Sequence, residues 1–255
     1  MSSVDLTPRP ILFAPICSHQ SYGLLEMAIP NIEKSLKKLN KNAVMVNIAS
    51  DGDAARRKTL NKMRRLNKSL PVLKLLNNFD LNLVCGEYSV NFDPKHIVKR
   101  IRSIIISKSR SMLLNKIHVN VCQVEELLKI NNYSNTSDLL NPRDKQNVPK
   151  AVALLKLIHE FTVGPAPLDP IKKDVFNELK LLGILSSLLL SIFINLDINL
   201  IDQLLNLAHL SHLLLFIFRR HSTKFLTNNL YSDIQSTIAD AFVVTAKFQL
   251  KGYSS

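Results

Sequence analysis

Apolar positions follow two patterns along the chain: before about residue 120 short continuous runs alternate with helical stripes, and after it helical stripes dominate. Ile11–Cys17 and Asn42–Ser50 are apolar runs of strand length, and Leu24–Leu39 between them carries a helical apolar stripe. Pro30 marks either a kink in this helix or its true start. Leu81–Gly86 is a further short strand candidate. The β-α-β order predicts a sheet covered by helices.

From Val124 onward the pattern is almost entirely helical. Val163–Pro170 contains a glycine and three prolines, which predicts a break between helices. The predicted helices are one that starts within Asn141–Gln146, followed by Ile171–Leu182, Ile184–Ile194, Ile201–Arg219 and Tyr231–Phe248. We therefore predict two domains, residues 1–123 and 124–255, with the strands confined to the first.

The apolar segment Leu181–Phe218 raises the question of a membrane span. Its only charged residues are Asp197 and Asp202. Each half falls short of the ~20 residues that cross a bilayer, and polar side chains are scattered through both. We interpret them as buried helices of a soluble domain and expect no membrane partner.

The cysteines and the N-terminus predict an intracellular protein, nuclear or cytoplasmic. Cys17, Cys85 and Cys122 are odd in number and form no zinc-binding spacing, which favours reduced thiols. The first ten residues lack the basic and apolar regions of a signal peptide.

Charge is distributed unevenly along this basic chain. The net charge is +13, and residues 1–120 carry 20 Lys and Arg against 8 Asp and Glu. Such an excess favours a polyanionic partner, and we expect DNA. The expected contacts are Arg56, Arg57, Lys58, Lys95, His96, Lys99, Arg100 and Arg102. A solvated helix face is the alternative for the first three, and plain surface exposure is the alternative for His96.

Carboxylates follow the second apolar run and precede a predicted helix. Asp51 and Asp53 flank Gly52 directly after the run, and Asp93 precedes Pro94. Carboxylates at the carboxyl end of a strand suit Mg²⁺ or Mn²⁺, so all three are candidate metal ligands. Asp93 and Pro94 are equally typical of a helix N-cap and first helical position, which requires no metal.

Five blocks in order resemble a lineage of DDE-type DNA transposases, found in many copies in fungal genomes and related to the P-element and THAP-type transposases. The resemblance extends from about Ile11 to Lys247. The blocks are Ser50–Arg57, Asn91–Arg102, Leu139–Val148, Ile198–Leu210 and Asn229–Ile234.

This resemblance implies an α/β fold, in which an RNase H-like mixed sheet in the N-terminal half is interrupted or followed by a large helical insertion. It implies that residues 1–123 are part of the catalytic core and 124–255 the insertion. Asp51 and Asp93 would be the first two catalytic acids, holding Mg²⁺ for DNA strand cleavage and transfer; Asp53 would assist as an outer ligand.

The chain departs from the family at the third acidic residue. The family places it in an Asp-x-x-Glu block before a Phe-Gly, and no such block is found up to Ser255. We therefore expect a truncated copy that is catalytically inactive alone, and that associates with itself or with a full-length transposase. The alternatives are a non-catalytic basic nucleic-acid-binding module and an inert gene remnant.

Overall fold

The computed structural model describes residues 21–39, 47–50, 89–114, 117–130 and 136–250. Helices dominate this part of the chain. The elements are α1 (Ser21–Leu39), β1 (Asn47–Ser50), β2 (Ser89–Phe92), α2 (Pro94–Ile105), β3 (Met112–Leu114), β4 (Ile117–Val119), α3 (Val121–Ile130), α4 (Thr136–Leu139), α5 (Val148–Val163), α6 (Pro170–Phe193), α7 (Leu200–His221) and α8 (Asn228–Leu250), with a short 3-10 turn at Ser222–Lys224.

The strands form two separate pairs. β1 and β2 are parallel, with Asn47 opposite Ser89 and Ser50 opposite Phe92. β3 and β4 are antiparallel and form a short hairpin, with Met112 opposite Val119. Among the described residues, these two pairs are the only sheets.

Helices α5 to α8 and α2 enclose one apolar core with β2. The buried cluster extends in sequence from Val90 to Ile238. Helices α5 and α6 approach closely at Gly183, where an added Cβ would lie 1.9 Å from Thr162 Oγ1. Helices α7 and α8 are joined by a buried hydrogen bond of 2.7 Å from Ser211 Oγ to Gln235 Oε1.

Helix α8 packs on β2 and binds its backbone through hydroxyl groups. The Phe92 amide donates to Thr237 Oγ1 at 3.0 Å, and Ser236 Oγ donates to the Val90 carbonyl at 2.7 Å. Residues two apart in a strand present their backbone groups to the same edge. Thr237 and Ser236 therefore occupy the edge of β2 where another strand would otherwise pair.

The prediction of an α/β fold with an RNase H-like mixed sheet is wrong for the described residues. They are mostly helical, with only two small two-stranded sheets. The physical reason lies at β2, whose edge away from β1 is covered by α8. The apolar surface of β2 is buried against helices, so no larger sheet is needed to cover it.

The predicted domain boundary between residues 123 and 124 stays a prediction. Residues from both predicted domains contribute to the same buried cluster, with Phe92 and Ile101 from the first and Phe176 and Ile234 from the second. The Pro- and Gly-rich stretch separates α5 from α6, and Gly164 is the C-cap of α5.

Local signals placed most helices well, with two exceptions. The predicted break between Leu182 and Ile184 is absent, because Gly183 lies inside the continuous helix α6. The helix expected to start within Asn141–Gln146 begins at Val148, since Asn147 is its N-cap and accepts from the Lys150 amide at 3.0 Å. The predicted strands Ile11–Cys17 and Leu81–Gly86, and the helix predicted to follow Asp53, lie outside the described residues.

Among the described residues, two helical segments are long and apolar enough to cross a membrane by length and composition: α6, and Leu200–Lys224, which is α7 with the 3-10 turn. The core helices of soluble proteins meet the same criterion. Both helices contribute to the shared core, through residues that include Leu185 and Leu214. The interpretation as buried helices of a soluble domain stays a prediction.

Candidate nucleic-acid interface

Helix α2 carries the described part of the predicted nucleic-acid surface. Asp93 is its N-cap, with Oδ1 accepting from the Lys95 amide at 2.9 Å, and Pro94 is its first residue. Ile97 and Ile101 are among the residues that bury one face of the helix. This anchoring orients the basic residues of the first two turns away from the core.

Arg102 differs from the other predicted contacts because its side chain is fully buried. Its Nε and Nη2 donate to the Leu139 carbonyl at 3.0 and 2.8 Å. Nη1 donates to the Asp144 carbonyl, and Nη2 lies 3.5 Å from the Asn141 carbonyl. Burial lowers the pKa of the guanidinium. In this position Arg102 holds the chain after α4 and does not reach a surface ligand.

Arg100 is engaged by a carboxylate from the far end of the chain. Its Nη1 donates to Asp233 Oδ2 on α8. The Asp233 side chain is almost completely buried, whereas a third of the Arg100 side chain is exposed. This pair ties α2 to α8 and neutralises the Arg100 charge.

Lys95, His96 and Lys99 remain on the outer side of α2. Lys95 is exposed and Lys99 half-buried, and within the described residues neither has a carboxylate partner. The Lys99 ammonium donates to Gln146 Oε1 at 3.1 Å, a neutral acceptor that leaves its charge uncompensated. His96 Nε2 lies 3.8 Å from Asp93 Oδ2.

The other predicted contacts and ligands lie outside the described residues. These are Asp51, Asp53, Arg56, Arg57 and Lys58.

The register of β1 and β2 bears on the predicted pair of acids. Ser50 is the last residue of β1 and lies opposite Phe92, the last residue of β2. In the sequence, Asp51 follows Ser50 and Asp93 follows Phe92. The N-cap hydrogen bond of Asp93 uses Oδ1 and not Oδ2, and the Asp93 side chain is 40% exposed. Within the described part of the chain, no cluster of three or more His, Cys, Asp or Glu could hold a metal ion.

A charged network beside α2 was not predicted from the sequence. Lys150 on α5 lies 2.6 Å from Asp138 Oδ1 and 3.0 Å from Asp144 Oδ2. The hydrogen bond from Lys150 lowers the pKa of Asp144, and the bonds to both carboxylates raise the pKa of Lys150. The pairs are separated by up to twelve residues, so no helical spacing indicated them.

Comparison with protein-family models, curated proteins and solved structures finds no match for this chain. The resemblance to DDE-type transposases therefore stays a prediction from the sequence blocks.

Proposed function

We propose that this chain is a transposase-derived protein that binds nucleic acid through the first two turns of α2. One observation carries the proposal: Lys95 and Lys99 project from an anchored helix and, within the described residues, have no carboxylate partner. Uncompensated cations fixed on a rigid helix attract phosphates and release the counterions that surround the nucleic acid. The basic bias of the first 120 residues supports the same partner.

Salt-dependent binding to a labelled DNA duplex tests this proposal. We expect the affinity of the whole chain, measured by fluorescence anisotropy, to fall steeply as salt rises. The variant Lys95→Gln/Lys99→Gln should reduce the slope of log affinity against log salt by about 2, since each phosphate contact contributes about 0.9. A matched control is Lys156→Gln/Lys173→Gln, which removes the same charge from exposed positions on α5 and α6.

Two results would overturn the proposal. One is binding by the unaltered chain that does not weaken with salt, or no binding to duplex DNA at all. The other is an equal loss in the two double variants, which would mean that only the net charge matters and that α2 forms no defined surface.

A second candidate function, binding of Mg²⁺ or Mn²⁺ by Asp51 and Asp93, is favoured by the β1–β2 register. Mg²⁺ is often held by one or two carboxylates together with substrate phosphates, and this donor set fits that chemistry. A cation bound there would neutralise charge on a nearby phosphodiester, the chemistry of the transposase ancestor. Asp93 would hold the cation through an oxygen free of the N-cap bond.

Calorimetric titration of Mn²⁺ into the whole chain tests the second candidate. Asp93→Asn is suited to this test, because Asn also caps helices well and should leave α2 intact. We expect Asp51→Asn and Asp93→Asn each to weaken Mn²⁺ binding at least tenfold. Binding that survives either substitution would contradict a site shared by the two carboxylates.

A further inference from the structure

The segment after α4, residues 140–147, lies beside α2 and is here named the 140–147 loop. Arg143 and Lys145 within it are exposed. Asp144 between them is the only acidic residue of the loop. Its Oδ2 lies 3.0 Å from the Lys150 ammonium and accepts from Asn147 Nδ2 at 3.1 Å. The loop therefore presents two cations, and its one carboxylate is paired with Lys150 on α5.

Two sets of bonds fix the loop against α2. From beneath, the buried guanidinium of Arg102 donates to the carbonyls of Asp144 and of Leu139, the residue before the loop. From the outer side, Lys99 donates to Gln146 Oε1 at 3.1 Å. Because Arg102 and Lys99 lie three residues apart on α2, both ends of the loop are positioned relative to that helix.

We infer that the 140–147 loop forms a second element of the nucleic-acid surface, with Arg143 and Lys145 contacting the phosphate backbone of duplex DNA beside Lys95 and Lys99. This inference rests on the proposed function and adds two residues to the contacts predicted from the sequence. Arg102 acts as a positioning residue, since it orders the loop from within the protein.

The composition of this surface favours a duplex over a single strand. Neither α2 nor the 140–147 loop contains Phe, Tyr or Trp. Proteins that hold single strands without sequence preference stack bases on aromatic side chains. A surface of cations on two fixed elements is instead suited to the regularly spaced phosphates of a double helix.

The test measures the affinity of two double variants for one labelled DNA duplex. Arg143→Gln/Lys145→Gln removes the loop cations, and Lys156→Gln/Lys173→Gln is a control with the same net charge. Each phosphate contact contributes about 0.9 to the slope of log affinity against log salt. Removing two contacts should therefore lower this slope by about 2 and the affinity at 0.1 M salt by about 60-fold. The charge-preserving variant Arg143→Lys/Lys145→Arg should retain the slope. Circular dichroism of each variant should match that of the unaltered chain, because both side chains are exposed.

The possible failures can be told apart. If the unaltered chain shows no salt-dependent binding, the proposed function itself fails. A different result overturns only the inference about the loop. In that case the unaltered chain binds DNA and Lys95→Gln/Lys99→Gln binds it more weakly, but Arg143→Gln/Lys145→Gln binds it as well as the control does.

Discussion

Replacing Thr237 with Val tests whether α8 covers the edge of β2. The hydroxyl of Thr237 accepts from the Phe92 amide at 3.0 Å and donates to the Asp233 carbonyl at 2.9 Å. Thr237 is 8% exposed and Phe92 2% exposed. Valine has nearly the same shape, so the substitution removes the hydroxyl with little change in packing.

The expected loss comes mainly from the Phe92 amide. Removing the acceptor of a buried N–H costs about 1 to 3 kcal/mol. Since water has little access to this position, we expect Thr237→Val to lower the free energy of unfolding by about 2 kcal/mol. Thr245→Val is the matched control, because the hydroxyl of Thr245 bonds only within α8, to the Ala241 carbonyl at 2.8 Å.

Urea unfolding followed by circular dichroism measures this difference. We expect the midpoint of Thr237→Val to fall with an unchanged m value, and Thr245→Val to stay within about 0.5 kcal/mol of the unaltered chain. Hydrogen exchange of the Phe92 amide should also accelerate in Thr237→Val. Equal stability of the two variants would refute the role assigned to α8.

Three further predictions concern the core and the buried charges. Gly183→Ala should lower the free energy of unfolding by about 2 kcal/mol, because its Cβ would meet Thr162 Oγ1 at 1.9 Å; thermal unfolding measures this, and Thr162→Ala should partly restore stability. Arg102→Met should lower the free energy of unfolding, measured in urea, by about 3 kcal/mol, since the half-buried carbonyls of Leu139 and Asp144 lose their donor; an unchanged midpoint would show that the loop is held by other contacts. Burial, followed by the charge of Arg220, lowers the pKa of His221 below 6.5. The unfolded chain therefore binds this proton more readily, and stability should be full above pH 6.5 and fall as pH drops below it. Unfolding midpoints from pH 7 to 5 should be less pH-dependent in His221→Gln.

Local signals in the sequence were sufficient for most of the helices. Asp93 and Pro94 predicted the start of α2, and the structure confirms both capping positions. The apolar stripe predicted a helix over Leu24–Leu39 but left open whether Pro30 kinks it or starts it; Pro30 lies inside α1. Helix starts and apolar stripes depend on residues within a turn or two of each other, so they can be predicted from the sequence alone.

The fold class depended on contacts that local patterns do not encode. The hydroxyls that cover β2 come from residues about 145 positions later in the chain. Two short apolar runs around a helix suggested a larger sheet, but nothing in their sequence indicated that a helix would take the edge of β2. Two helices were predicted on either side of Gly183, whereas this residue lies inside α6, where close packing on Thr162 accounts for the glycine.

The candidate site was predictable in part. The basic residues of α2 were identified, but their roles differ according to burial. Arg102 follows Val98 by four residues and precedes Ile105 by three, spacing that places it on the apolar face and could have indicated its burial. Pairing of Arg100 with Asp233 joins distant parts of the chain and had no sequence signal.

Hydrogen exchange of the whole chain with and without duplex DNA would locate the nucleic-acid surface itself. We expect slower exchange at low salt in the first turns of α2 and in the 140–147 loop, with the protection lost as salt rises. The carboxyl end of α7 and the 3-10 turn after it provide an internal comparison, because they carry another exposed basic group, Arg219, Arg220 and Lys224. Protection confined to that end, with none in α2 or the loop, would contradict the proposed surface.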